Sequence, residues 1–186
     1  MEFSGKKVTV VGTGISGIGA VGLLNAVGAE VVLYDGNEKL KIEDIEKKLG
    51  TYKAEIVLGE LTKELTDSSD LLVISPGVPI DSPVVKAFEA AGVPVWGEVE
   101  LAYAFDKGKV LAITGTNGKT TTTALVGQIV GAYHKDTFVV GNIGNPYTTE
   151  VLKSNKDSYT VAEISSFQLE TVQVLPWLAL SANSVT

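Results

Sequence analysis

Short runs of valine, isoleucine and leucine alternate along this chain with stretches of helical spacing. The apolar runs at 8–11, 30–34, 71–74, 109–113, 138–140 and 159–162 carry the pattern of parallel strands buried on both faces. Between them, 18–27, 81–91 and 120–130 have helical periodicity, the middle one opened by Asp81, Ser82 and Pro83 as cap and first turn. A connecting helix is expected over 98–105. Lysine and glutamate mix on helical spacing between Lys39 and Lys63, which describes a solvated helix face and an edge strand. Strand and helix in regular alternation predict right-handed βαβ units, hence an α/β fold with sheets covered on both faces.

The strongest internal break lies at residues 92–97, where a helix ends on Gly92 and Pro94 enters a short strand. This predicts a first, Rossmann-like domain over residues 1–94 and a second α/β domain over 95–186, with a fresh strand, glycine loop and helix starting at Lys109. A buried-type strand at 178–183 comes just before Thr186, so the second domain is expected to be incomplete.

Composition narrows the chemistry. The 186 residues hold 22 acidic and 15 basic side chains, a formal charge of −7, and every basic residue is lysine. An acidic, arginine-free chain lacks the footprint of a nucleic-acid binder. There is no cysteine, which removes disulfides and thiolate metal sites and leaves oxygen ligands or His134 for any metal. His134 itself, beside Tyr133, Lys135 and Asp136, reads as a solvated loop residue. No signal-peptide core opens the chain and no apolar run reaches the ~20 residues that a bilayer requires, so a soluble cytoplasmic protein without a membrane partner is expected.

Three loops carry candidate chemistry. Gly12-Thr13-Gly14-Ile15-Ser16-Gly17 fits G-x-G-x-x-G directly after a strand and opens a helix, the context in which helix amides face an anion or a ribose. Asp35, ending the second strand, is placed to accept hydrogen bonds from a ribose or base. The plainer reading is a tight turn and a loop cap, and the pattern does not choose between a dinucleotide and another nucleotide. Ser75-Pro76-Gly77 follows a buried strand but by itself is an ordinary proline turn. The sharpest signal is Gly115-Thr116-Asn117-Gly118-Lys119-Thr120-Thr121. It departs from G-x-x-x-x-G-K-[ST] because Ile113 stands at the first glycine position, yet its mechanics persist: loop amides cradle phosphates, Lys119 reaches the terminal phosphates, and Thr120 or Thr121 holds magnesium. A lysine at a helix N-terminus opposes the helix dipole, so a purely structural turn has little use for it. Glu163, at a strand end beside this loop, is placed as a magnesium ligand, the alternative being an exposed carboxylate. The run Ser165-Ser166-Phe167-Gln168 suits ligand contact or a helix cap equally.

With these motifs in order, GTGISG, LYDGN, VISPGVP, WGEVELAY, ITGTNGKTTT, VGNIGNP and AEISSFQLET, the chain resembles the Mur ligases over its whole length. VISPGVP, GEVELAY and SSFQLET point to the branch that adds D-glutamate to UDP-N-acetylmuramoyl-L-alanine in peptidoglycan synthesis. The resemblance implies an N-terminal domain for the UDP substrate and part of a P-loop ATPase domain. Ile15, Ser16, Asp35, Gly36 and Asn37 would line the uridine site, and Ser75, Pro76, Gly77, Gly141 and Asn142 would face the diphosphate. Residues Gly115 to Thr121 would hold the ATP phosphates, with Lys119 and Glu163 catalytic and Thr120 and Glu163 on Mg2+. Ser165 and Gln168 would approach the muramoyl-alanine end. The implied reaction is ATP-dependent amide formation through an acyl phosphate. The family also implies a further histidine ligand, a modified lysine and an amino-acid domain beyond Thr186, so this chain alone is expected to be inactive. Two competing expectations are a nicotinamide-dependent oxidoreductase, disfavoured by the phosphate loop, and a non-catalytic nucleotide-binding module.

Overall fold

The computed structural model describes residues 2–142, 145–172 and 179–181, the last three by backbone only. Two parallel sheets form. The first has strands β1 (Lys7–Val11), β2 (Glu30–Asp35), β3 (Glu55–Leu58), β4 (Leu71–Ile74) and β5 (Val95–Gly97) in the order β3-β2-β1-β4-β5. Its helices are α1 (Ile15–Ala26), α2 (Ile42–Leu49), α3 (Lys63–Ser68), α4 (Pro83–Ala90) and α5 (Glu98–Tyr103). The second sheet, ordered β7-β8-β6-β9, is built from β6 (Lys109–Thr114), β7 (Thr137–Gly141), β8 (Tyr159–Glu163) and β9 (Ala179–Ser181). It carries α6 (Lys119–Tyr133), α7 (Tyr147–Glu150) with a following 3-10 turn at Val151–Lys153, and α8 (Ser166–Leu169). Among the described residues no helix is long and apolar enough to cross a membrane.

The six apolar runs all become parallel strands. The expected burial of 138–140 is only partial: β7 lies at the sheet edge, and of those residues only Val140 is fully buried. The first sheet also extends beyond Pro94, because β5 continues the ladder of β4 with Leu72 opposite Val95 and Ile74 opposite Gly97. Proline marks the entrance of this edge strand and still accepts a bond from the Leu72 N–H through its carbonyl, 2.9 Å, so it breaks the chain's pattern without breaking the sheet. The segment 39–63 divides into α2 and the edge strand β3, as its charge pattern predicts. Of the strand expected over 178–183, Ala179–Ser181 pairs with β6; residues 178, 182 and 183 lie outside the described residues. His134 is exposed, its ring stacked on Tyr159 at 4.1 Å.

Burial explains how the elements hold together. One face of the first sheet packs Val11, Val32, Leu72 and Ile74 against Leu65 of α3 and Val85 and Phe88 of α4. The opposite face brings Val10 and Leu33 against Leu23 and Leu24 of α1, in a cluster that continues without interruption into Val110, Ala112 and Val140 of the second sheet and Ile164 just after β8. Tyr147 of α7 sits fully buried in that continuation. Each such side chain contributes about 1.5–3 kcal/mol when taken from water, so the shared cluster fixes the two sheets' loops relative to one another.

Candidate functional site

In the first sheet the chain runs outward in opposite directions from β1 and β4, which makes the cleft above their C-terminal ends a topological switch point. Both candidate loops of this unit flank it. Gly12 has φ +105°, and a Cβ at Gly17 would run into the Gly12 carbonyl, so the G-x-G-x-x-G turn is shaped by close packing of α1 on β1. Gly14, the N-cap of α1, has no side chain to satisfy the first-turn amides. Asp35 accepts from the Thr13 N–H (3.3 Å) and Oγ1 (3.0 Å) with one oxygen and from the Asn37 N–H (3.1 Å) with the other. It therefore ties the glycine turn to the loop after β2, where Gly36 and Asn37 are exposed. Ile15 stands 79% exposed at the head of α1 beside half-buried Ser16. Across the switch point, the Ser75 hydroxyl is buried with no hydrogen-bond partner, the condition expected of a group that a ligand completes.

In the second sheet, Gly115 (φ +138°) and Gly118 (φ +78°) bend the loop between β6 and α6. The Lys119 ammonium donates to the carbonyls of Gly115 (2.7 Å) and Thr116 (3.3 Å), folded across its own loop. Thr120 Oγ1 donates to Glu163 Oε1 at 3.3 Å, whereas exposed Thr121 makes no such bond among the described contacts. Thr120 is thus the threonine that meets the acid.

Glu163 is 3% exposed, which removes the alternative reading of an exposed carboxylate. β8 runs between β6 and β7, and its last residue pairs with Ile113 on one side and Gly141 on the other. Its second oxygen, Oε2, is buried without a partner. Leaving a buried acceptor unpaired costs about 1–3 kcal/mol, more when it is charged. A hard cation accepts such oxygens, and the hydroxyl of Thr120 completes a two-ligand corner for one. Among the described residues no group of three acidic or histidine side chains forms a metal cluster by itself. Gly141 is required at φ +104°, where a Cβ would meet the Glu163 carbonyl, and the Asn142 N–H donates to that carbonyl at 3.3 Å. Ile143 and Gly144 lie outside the described residues.

Between the two units opens a cavity of about 670 Å³. Ser75, Pro76 and Gly77 form one wall, Phe167 and Gln168 another, and Glu98 lies among the lining residues. Ser165 and Gln168 form a reciprocal cap: Ser165 Oγ accepts from the Gln168 N–H at 3.3 Å and Gln168 Oε1 from the Ser165 N–H at 2.9 Å. The helix-cap reading of this run therefore holds, and Gln168 still borders the cavity. Phe167 projects 69% exposed. Sequence reasoning assigned no role to Glu98, although its position directly after Gly97 at a helix start was the available signal.

Comparison with known proteins decides the lineage. Residues 6–97 match the family model described as Mur ligase MurD-like, N-terminal domain, and residues 113–181 match the Mur ligase middle domain. The chain belongs to the Mur ligase family. Among its curated relatives, UDP-N-acetylmuramoylalanine–D-glutamate ligase of Lachnospira eligens is 70% identical over 92% of this chain and 38% of its own length. The protein of the same name from Lachnoclostridium phytofermentans is 58% identical over 93% of this chain and 38% of its own. The chain thus spans about 38% of the length of these Mur ligases. A solved structure, UDP-N-acetylmuramate:L-alanyl-gamma-D-glutamyl-meso-diaminopimelate ligase of Neisseria meningitides, is similar in fold with TM-score 0.52 at 20% identity, covering 86% of this chain and 52% of that one.

Proposed function

We propose that this chain supplies the UDP-substrate unit and part of a P-loop ATPase unit of an enzyme that joins D-glutamate to UDP-N-acetylmuramoyl-L-alanine. The first unit runs to about Gly97, the end of β5, and the second begins at β6. The observation that carries the reading is the orphaned Glu163 oxygen, whose carboxylate accepts from Thr120 next to Lys119. Relatives named for this reaction support it.

Ile15, Ser16, Asp35, Gly36 and Asn37 receive the uridine, Ile15 offering an apolar platform and Asp35 holding the loops in place. Ser75 to Gly77, with Gly141 and Asn142 from the second sheet, receive the diphosphate. Residues 115–121 hold the ATP phosphates, and Lys119 leaves its own loop carbonyls to pair with them. Mg2+, held by Thr120 and Glu163, would supply neutralising charge to the phosphates. The substrate carboxylate takes the γ-phosphoryl group, releasing ADP and giving an acyl phosphate. The amine of D-glutamate then displaces phosphate, forms the amide and gives up a proton. Gln168 lies toward the muramoyl-alanine end. Nucleotide substrates of this kind place the enzyme in the cytoplasm.

Two measurements test the assignment. In the full-length polypeptide, ADP release should require D-glutamate, UDP-N-acetylmuramoyl-L-alanine and Mg-ATP together, while residues 1–186 expressed alone should show no D-glutamate-dependent release. By calorimetry the UDP substrate should bind more tightly than NAD, and Asp35→Ala should weaken it by about 1–3 kcal/mol. Tighter binding of NAD would overturn the assignment in favour of hydride chemistry.

A further inference from the structure

The WGEVELAY segment has no part in the chemistry above, yet it contains the joint between the units. Gly97 ends β5, and a Cβ there would collide with the Thr171 side chain just after α8. Glu98, the next residue, is 4% exposed. Its Oε1 accepts two bonds from one residue fifty positions later, the Thr148 N–H at 3.2 Å and Thr148 Oγ1 at 3.0 Å. Pro146, the N-cap of α7, has no side-chain acceptor to offer, so Glu98 supplies from another part of the fold the acceptor that this helix start lacks.

Thr148 is wedged on its other side as well. A Cβ at Gly19 of α1 would press on Thr148 Oγ1, at 2.6 Å. Upstream of α7, Val140 bridges to Asn145, and the Gly141 N–H donates to the Asn145 carbonyl at 3.2 Å. The segment bearing Gly141 and Asn142 is therefore anchored downstream at Thr148, and Thr148 is anchored to Glu98. Glu98 also shares the cavity with Ser75 to Gly77.

We propose that Glu98 is a positioning residue for the UDP substrate: by holding Thr148, and through Asn145 the strand end at Gly141, it sets Gly141 and Asn142 at the spacing from Ser75 to Gly77 that lets loops of both sheets meet one diphosphate. The proposal rests on the reading above. A buried carboxyl is a costly way to fill space, and desolvation pushes the Glu98 pKa up against the lowering effect of Thr148. An apolar side chain would pack there at less cost but could not accept both Thr148 donors.

The experiment compares variants of the full-length enzyme. Glu98→Ala should raise KM for the UDP substrate about tenfold, the scale of one lost hydrogen-bond pair, while KM for ATP stays within about twofold and kcat falls less than KM rises. Glu98→Gln keeps a side-chain oxygen for Thr148 and should recover most of that loss. Should Glu98→Ala fail to fold, Thr148→Val removes only the hydroxyl donor and should shift the same KM in the same direction, by less. Equal rises in both KM values, or a fall in kcat alone, would overturn the positioning role while leaving the reaction assignment intact. A parent enzyme that does not bind the UDP substrate would instead remove the reading on which the proposal stands.

Discussion

Two glycine loops, each following a central strand and each served by one acid, differ in what they leave unfinished. The loop of 12–17 is closed on itself: the Gly12 carbonyl leaves no room for a Cβ at Gly17, and both oxygens of Asp35 are engaged by Thr13 and Asn37. The loop of 115–121 is open. Nothing lies within 4 Å of a Cβ placed on Gly118, Lys119 bonds only to carbonyls of its own loop among the described contacts, and Glu163 keeps an oxygen with no partner. A glycine motif made by packing tolerates a ligand beside it. One made of unspent charge and unpaired oxygen requires a ligand to complete it.

The comparison can be broken most severely at Lys119. Lys119→Ala in the full-length enzyme should lower ADP release at least ~10²-fold, the loss for one preorganised charge stabiliser, with unfolding stability changed by no more than about 0.5 kcal/mol. Turnover near that of the parent would remove the second loop from the reaction. The first loop should answer in the opposite way. Gly17→Ala is expected to cost about 1–3 kcal/mol in urea unfolding through overpacking, whereas Gly118→Ala has open space and pays only the left-handed backbone, about 1–2 kcal/mol. If Gly118→Ala proved the more damaging to stability, the contrast between packed and open loops would be wrong.

The smallest effect concerns the third acid, Glu98. Burial raises its pKa above the ordinary 4.5, so the folded chain holds this proton more tightly than the unfolded one. Its favourable contribution is complete below about 4.5 and is lost as pH rises through the folded value. Glu98→Gln carries no such loss. Its stability relative to the parent should therefore grow in urea titrations as pH rises above about 4.5, and a difference independent of pH would show that the carboxyl does not titrate as its burial requires.

Local pattern carried the sheets, since runs such as Leu71–Ile74 are too apolar for an edge and too short for a core helix. It also singled out the loop of 115–121, whose lysine opposes the dipole of the helix it opens. It could not show α7, four residues long after a proline, because periodicity needs more than one turn to register. Pro94 suggested a boundary that β5 pairing crosses, a matter of what lies beside the strand rather than along it. Glu163 was legible as an acid near a loop, but its burial follows from β6 and β7 flanking it. The bond from Thr148 to Glu98 joins positions that no sequence window contains.

The apolar cluster that runs from α1 into β6, β7 and Ile164 has a consequence for how the chain comes apart. Neither sheet owns a complete interior, so melting one strips buried surface from the other. Denaturant should then meet a single cooperative transition with a slope set by the whole exposed area, rather than two steps. Protease nicking of the 104–108 connection should yield two pieces that remain associated until they unfold together.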